Sequence, residues 1–243
     1  PVRVHTRRGV LGAVVRPRGD YQAPEAQRDF GEGDVVVDFG TEDRASTLAL
    51  GVAPNDWITV EKRFRRLAGR MASGRAVDDR AGCTALVEAV RRLDPSRLRN
   101  RITFAWSVEE EIGLKGAEAI AAAASFDVVF AVDTFVSSDS PLESQGFALG
   151  VLGRGPVLRA MDNSNLAPAE PLERVRRLAS ERRLEFQIGL THGGNDGSVF
   201  PSFGAVDVPL SWPTTYSHSA VELIHEADLS ALGDLVALLA QGW

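Results

Sequence analysis

Acidic and imidazole side chains cluster at a few points of the 243-residue chain. Asp78 opens Asp78-Asp79-Arg80-Ala81-Gly82, and Glu110 and Glu111 close the run Glu109-Glu110-Glu111. Asp133 follows the apolar run Val128-Val129-Phe130-Ala131-Val132, and His218 sits in Tyr216-Ser217-His218. Carboxylates brought to one place repel, and they cannot all stay ionised without a cation. A dication removes that conflict. Carboxylates with imidazole and no thiolate suit Zn, Co or Mn. With a carboxylate left over beside the ligands, the natural chemistry is metal-assisted hydrolysis: the cation lowers the pKa of its water and the free carboxylate carries the proton.

Taken singly, each of these positions has an ordinary structural reading. Asp78 and Asp79 suit the cap and first turn of a helix, and three Glu before a helix suit its positive end. An Asp at a strand end is commonly a turn residue, and a single His is commonly structural. Their order along the chain, and where the elements would deliver them, favour a site.

Those elements fall into two regions. Residues 1–70 read as a β-rich module. Val2-Arg3-Val4-His5-Thr6 alternates at period two, Val10 to Val15 is a second short strand, and Val35 to Phe39 and Trp57 to Val60 are two more. Arg16 to Gly33 reads as a loop, and Glu42 to Leu50 as a short polar-apolar segment. Residues 71–243 alternate strands and helices. Helices are expected at Ala81 to Leu93, Gly116 to Ala124, Leu172 to Arg183 and Leu229 to Gln241. Strands are expected at Ile102 to Trp106, Asp127 to Val132, Phe186 to Gly189 and, interrupted by Pro209, Val206 to Trp212. This pattern predicts an α/β fold, a mixed sheet covered by helices on both faces. Ligand sites gather at strand ends in such sheets, and Asp78, Glu111, Asp133 and His218 would all reach one rim.

Composition narrows the partners. The net charge of −6 argues against nucleic acid, whose phosphates need a basic face. No apolar run approaches the roughly 18 residues of a membrane helix, and the opening residues show no secretory signal pattern. The single cysteine, Cys83, excludes an internal disulfide and a thiolate metal cage, and fits a cytoplasmic location.

Several segments together resemble the M42 metallo-aminopeptidases, the glutamyl and tetrahedral aminopeptidase group. They are Gly74-Arg75-Ala76-Val77-Asp78-Asp79-Arg80-Ala81-Gly82, Val108 to Ala117 with Glu-Glu-Ile-Gly-Leu-Lys-Gly-Ala, Ala131-Val132-Asp133-Thr134 and Tyr216 to Glu222. Gly193-Gly194-Asn195-Asp196 is similar to the family's Gly-Gly-Thr-Asp element. Arg3-Val4-His5-Thr6 with Gly9, and Val37-Asp38-Phe39-Gly40, resemble its β insertion domain.

The resemblance implies an aminopeptidase that uses two divalent metal ions, zinc or cobalt, to release N-terminal residues from peptides. It implies that Asp78 bridges both metals, that the peptide bond from Asp78 to Asp79 is cis, and that Glu110 is the general base and acid. Glu111 and His218 would complete one metal site and Asp133 would serve the other. Gly113 and Leu114 set the register, so that the working pair is Glu110-Glu111. The resemblance further implies a large homo-oligomer assembled partly through residues 1–70.

The family pattern also has a His-x-Asp motif ahead of the β module. None of His5, His192, His218 and His225 is followed two residues on by Asp. The second metal site is therefore expected to be incomplete in this chain, with Asp78 and Asp133 alone and His192 as a candidate substitute. The alternative reading is a catalytically impaired or truncated relative that serves as a peptide-binding or assembly subunit. A glycosidase could use the paired carboxylates, but it would leave Asp78, Asp133 and His218 without a task.

Overall fold

In chain order, β1 (Val2–Thr6), β2 (Gly9–Val15), β3 (Val37–Asp38), α1 (Arg44–Ala49) and β4 (Trp57–Val60) build a first unit, Pro1–Arg63. The computed structural model describes residues 1–16, 32–60, 63–141 and 149–243. Most of the expected Arg16–Gly33 loop, residues 17–31, lies outside them. The strands of this unit form one antiparallel sheet in the order β3-β2-β1-β4. Period two governs β1: Val2 and Val4 are buried and Arg3 is exposed. The segment from Glu42 to Leu50, plain in sequence, holds α1. Asp43 and Ser46 form a reciprocal cap there, with Asp43 Oδ1 accepting the Ser46 N–H at 2.7 Å.

The second unit, Phe64–Trp243, begins with β5 (Arg65–Arg66), β6 (Met71–Ser73) and α2 (Val77–Arg92). It continues with α3 (Lys115–Ala123), β7 (Val128–Val129), β8 (Val132–Val136), β9 (Val157–Met161), α4 (Ala169–Glu181) and β10 (Gln187–Leu190). It closes with β11 (Val206–Asp207), β12 (Leu210–Thr215), β13 (Leu223–His225) and α5 (Glu226–Gly242). The sheet is mixed, in the order β10-β9-β12-β13-β6-β5. β12 is its axis: β8 runs parallel along one edge, while β9 and β13 share the other edge antiparallel. A separate pair, β7 with β11, runs parallel.

The helices pack through small residues. Val77, Ala81, Ala85 and Ala89 recur every four positions and make one buried stripe on α2. That stripe meets Leu232, Leu235 and Leu239 of α5, with Leu158, Leu210 and Trp212 of the sheet in the same core. Each of these buried leucines contributes roughly 1.5–3 kcal/mol. A smaller core joins Ala117 and Ala121 of α3 to Phe200 and Ala205. No helix of the described residues is long and apolar enough to cross a membrane.

Two expectations are corrected. Ile102 to Trp106 is not a strand, although Ile102 and Phe104 are half-buried between exposed neighbours. Alternation alone does not make a strand, and no described strand pairs with this segment. It lines a cavity of about 1420 Å³ together with residues 125–133. Asp133 does not end the run from Asp127. The chain breaks from β7 into β8, and Asp133 is the second residue of β8, opposite Ser211 of β12.

Candidate metal centre

The segment before α2 turns sharply at Ala76, φ 47°, and the peptide bond between Asp78 and Asp79 is cis. The Asp79 carboxylate folds back on its own helix, accepting the Gly82 N–H at 3.1 Å and the Trp212 Nε1–H at 3.0 Å. A Cβ at position 82 would lie 2.4 Å from Asp79 Oδ1, so this contact needs glycine. The spacing Asp-Asp-Arg-Ala-Gly thus has a local cause: it turns Asp79 inward and leaves Asp78 to face a cavity of about 460 Å³.

The acidic run is shaped by a tight turn. The N–H groups of Gly113 and Leu114 donate to the Glu110 carbonyl at 3.1 Å, and that of Gly116 donates to the Val108 carbonyl at 2.9 Å. A Cβ on Gly116 would meet Val108 N at 2.4 Å. Within the run, Glu109 pairs with Lys115 at 3.0 Å, whereas Glu110 and Glu111 line the cavity with Asp78, Asp133 and His218.

The expected residues therefore converge. His218 Nε2 stands 3.2 Å from Asp78 Oδ2 and 3.3 Å from Glu111 Oε2. Asp78, Glu111 and His218 each present a ligand atom, all within 4.8 Å of one another. So do Asp78, Asp79 and Asp133. Asp78 belongs to both groups. The first group combines two carboxylates with an imidazole, a donor set that fits a divalent ion of the zinc type. The second holds carboxylates without an imidazole. His192 lines the same cavity but joins neither group of converging donors among the described residues.

Electrostatics mark the same place. Burial pushes Asp78 up to about 7, helped by Asp133 and Glu111. Burial, then Asp133, pushes Asp79 up to about 8. Asp133 rises to about 6 through burial, moderated by the Arg159 guanidinium and the Thr134 N–H. Burial, then Asp133 and Asp196, lifts Glu110 to about 7. Crowded, desolvated carboxylates of this kind favour a bound cation.

Sequence reasoning missed several supporting residues. Arg159, 3 % exposed, donates to Asp162 at 3.2 Å, to the Gly194 carbonyl at 3.0 Å and to the Thr134 carbonyl. Its guanidinium also lies 3.9 Å from Asp133. Asn195 donates to Asp162 at 2.9 Å, which fastens the Gly193-Gly194 turn. Asp196 accepts from Ser107, and burial raises its pKa. Only the Gly-Gly-Asn-Asp element hinted at this layer.

A family model, M42 glutamyl aminopeptidase, matches residues 1–235. The chain belongs to that family. Its relatives include the lysyl aminopeptidase of Pyrococcus furiosus, 28% identical over 240 residues that cover 94% of this chain and 66% of the relative. Among solved structures, the Pyrococcus horikoshii TET1 peptidase, described as able to assemble into a tetrahedron or a large octahedral shell, is 36% identical with a TM-score of 0.86. That match covers 98% of this chain and 71% of the other. A TET aminopeptidase from a marine sediment Thaumarchaeota archaeon is 27% identical with a TM-score of 0.89, covering 99% of this chain and 70% of the other. The chain spans about two thirds of the length of the curated relatives it matches.

Proposed function

We propose that this M42 chain serves a metal-dependent aminopeptidase that releases N-terminal residues from peptides, with Glu110 as general base and acid. The observation that carries this reading is the Asp78 carboxylate, which takes part in both groups of converging donor atoms while Glu110 lines the same cavity. Asp78, Glu111 and His218 would hold one divalent ion, zinc or cobalt, and Asp78 and Asp133 would face a second. Such ions would lower the pKa of water at the site and polarise the carbonyl of the first peptide bond.

The protein's own groups supply the rest. Glu110 stays outside the first ligand group, so its carboxylate is available to take a proton from water and return it to the leaving amine. Arg159 and the Thr134 N–H hold Asp133 in place, the latter at 2.7 Å. Residues 1–63 would serve assembly into a homo-oligomer. Their sheet carries exposed apolar side chains, Trp57 above all at 79 %, and the related TET1 peptidase is described as able to assemble into a tetrahedron or a large octahedral shell. The chain is proposed to work in the cytoplasm, which its single cysteine permits.

Glu110→Gln tests the assignment. The variant should bind zinc as the parent does, by elemental analysis, and turn over an aminoacyl-anilide about 10²–10⁴-fold more slowly. Full activity in that variant would sink the role given to Glu110.

A further inference from the structure

His218 is held in an unusual way. Its side chain is 68 % exposed, so packing does not fix the ring. Its backbone is left-handed, φ 56°, two residues after Tyr216 at φ 60°. Non-glycine residues adopt this conformation at a cost, and surrounding structure must impose it. The His218 N–H donates to Glu222, only 3 % exposed, whose Oε1 accepts it at 3.2 Å.

The other oxygen of the same carboxylate reaches a distant part of the chain. Glu222 Oε2 accepts the Val77 N–H at 2.7 Å and the Asp78 N–H at 3.3 Å. Among the described residues no Lys or Arg pairs with it. Its buried charge is satisfied by backbone N–H groups of two segments about 140 positions apart. The sheet explains how it arrives there. β13 pairs antiparallel with β6, Leu223 opposite Ser73, which sets Glu222 beside the exit of β6 toward Asp78. The Glu222 carbonyl also accepts the Gly74 N–H at 3.4 Å.

We propose that Glu222 is the positioning residue of this centre: one buried carboxylate that clamps the backbone of Asp78 to that of His218 and so sets their spacing for a cation. The inference rests on the reading of those two residues as ligands. A purely structural carboxylate would support the fold and leave cation affinity alone, so the two roles separate experimentally.

Zinc affinity, measured on the metal-free protein by competition with a chelating dye, is the readout, with thermal unfolding alongside. In Glu222→Gln the amide oxygen can still accept on one side, but the NH2 group faces N–H donors on the other. Zinc should bind about 10–100-fold more weakly, as is typical when a group that orients ligands is lost. Glu222→Asp keeps the charge but is one methylene too short to reach both segments. It should show the same direction of change, and it decides the matter if the Gln variant does not fold. Val175→Ala, a cavity in α4 at a fully buried position, should lower the melting temperature and leave zinc affinity unchanged. Parent-like zinc affinity in Glu222→Asp or in a folded Glu222→Gln would overturn this proposal alone. Parent protein that takes up no zinc would overturn the ligand reading, and this proposal with it.

Discussion

Replacing Gly82 by alanine should reverse the usual sign of a helix substitution. Gly82 lies inside α2, and Gly→Ala in a helix ordinarily stabilises by about 0.5–1 kcal/mol. Here the new Cβ would stand 2.4–2.5 Å from both Asp79 carboxylate oxygens, well inside contact distance. Either the carboxylate or the helix must move. Moving the carboxylate gives up the Trp212 Nε1–H bond at 3.0 Å and the Gly82 N–H bond at 3.1 Å. Hydrogen bonds of this kind are worth about 1–1.5 kcal/mol each. Subtracting the helix gain leaves a net loss of about 1–2.5 kcal/mol. For a protein of this size that lowers the melting temperature by roughly 2–10 °C. The assay is a double-mutant cycle followed by thermal and urea unfolding. In an Asp79→Ala background the clash disappears, and Gly82→Ala should again stabilise by roughly 0.5 kcal/mol or more. If Gly82→Ala stabilises the parent protein, or if its effect is the same in both backgrounds, the close approach of Asp79 to the helix is not what requires glycine.

Two further outcomes follow from the layer beneath the site. Arg159→Met leaves Asp162 buried without its cation, so urea unfolding should show a loss of about 3 kcal/mol, as when a buried ion pair is broken on one side; a loss under about 1 kcal/mol would refute the role. Asp207, 2 % exposed, is pushed up to about 7 by burial and by Asp162. Its folded pKa exceeds the unfolded one, so the stability it contributes is full below about pH 4 and is lost as pH rises through about 7. Relative to Asp207→Asn, the parent should lose about 2–3 kcal/mol between pH 5 and pH 8, at 1.36 kcal/mol per pKa unit; a difference that does not vary with pH would refute it.

Much of this centre is legible in the residues themselves. The order of Asp78, Glu110, Glu111, Asp133 and His218 along the chain marks them as candidates, and for Asp78 and the Glu110-Glu111 pair the devices that aim them are local. Gly82 makes room for Asp79, and Gly113 and Gly116 close the turn that sends Glu109 outward to Lys115. Helices α2, α4 and α5 are likewise written in apolar periodicity, since a stripe at every third or fourth position has one way to be buried.

Tertiary structure alone decided the rest. Ile102 to Trp106 carries strand periodicity, yet a strand exists only through its ladder, and pairing is a property of neighbours that periodicity does not encode. Asp133 reads as a strand end, but its place in β8 depends on parallel register with β12, some 80 positions away. Glu222 looks like any acid after a turn until β13 lies against β6 and brings its carboxylate to two backbones at once. Arg159 and Asp207 look like surface charges until burial changes what their charge costs. The types of the candidate donors are read within a few residues of sequence. Their spacing was decided by contacts that only the folded chain brings together.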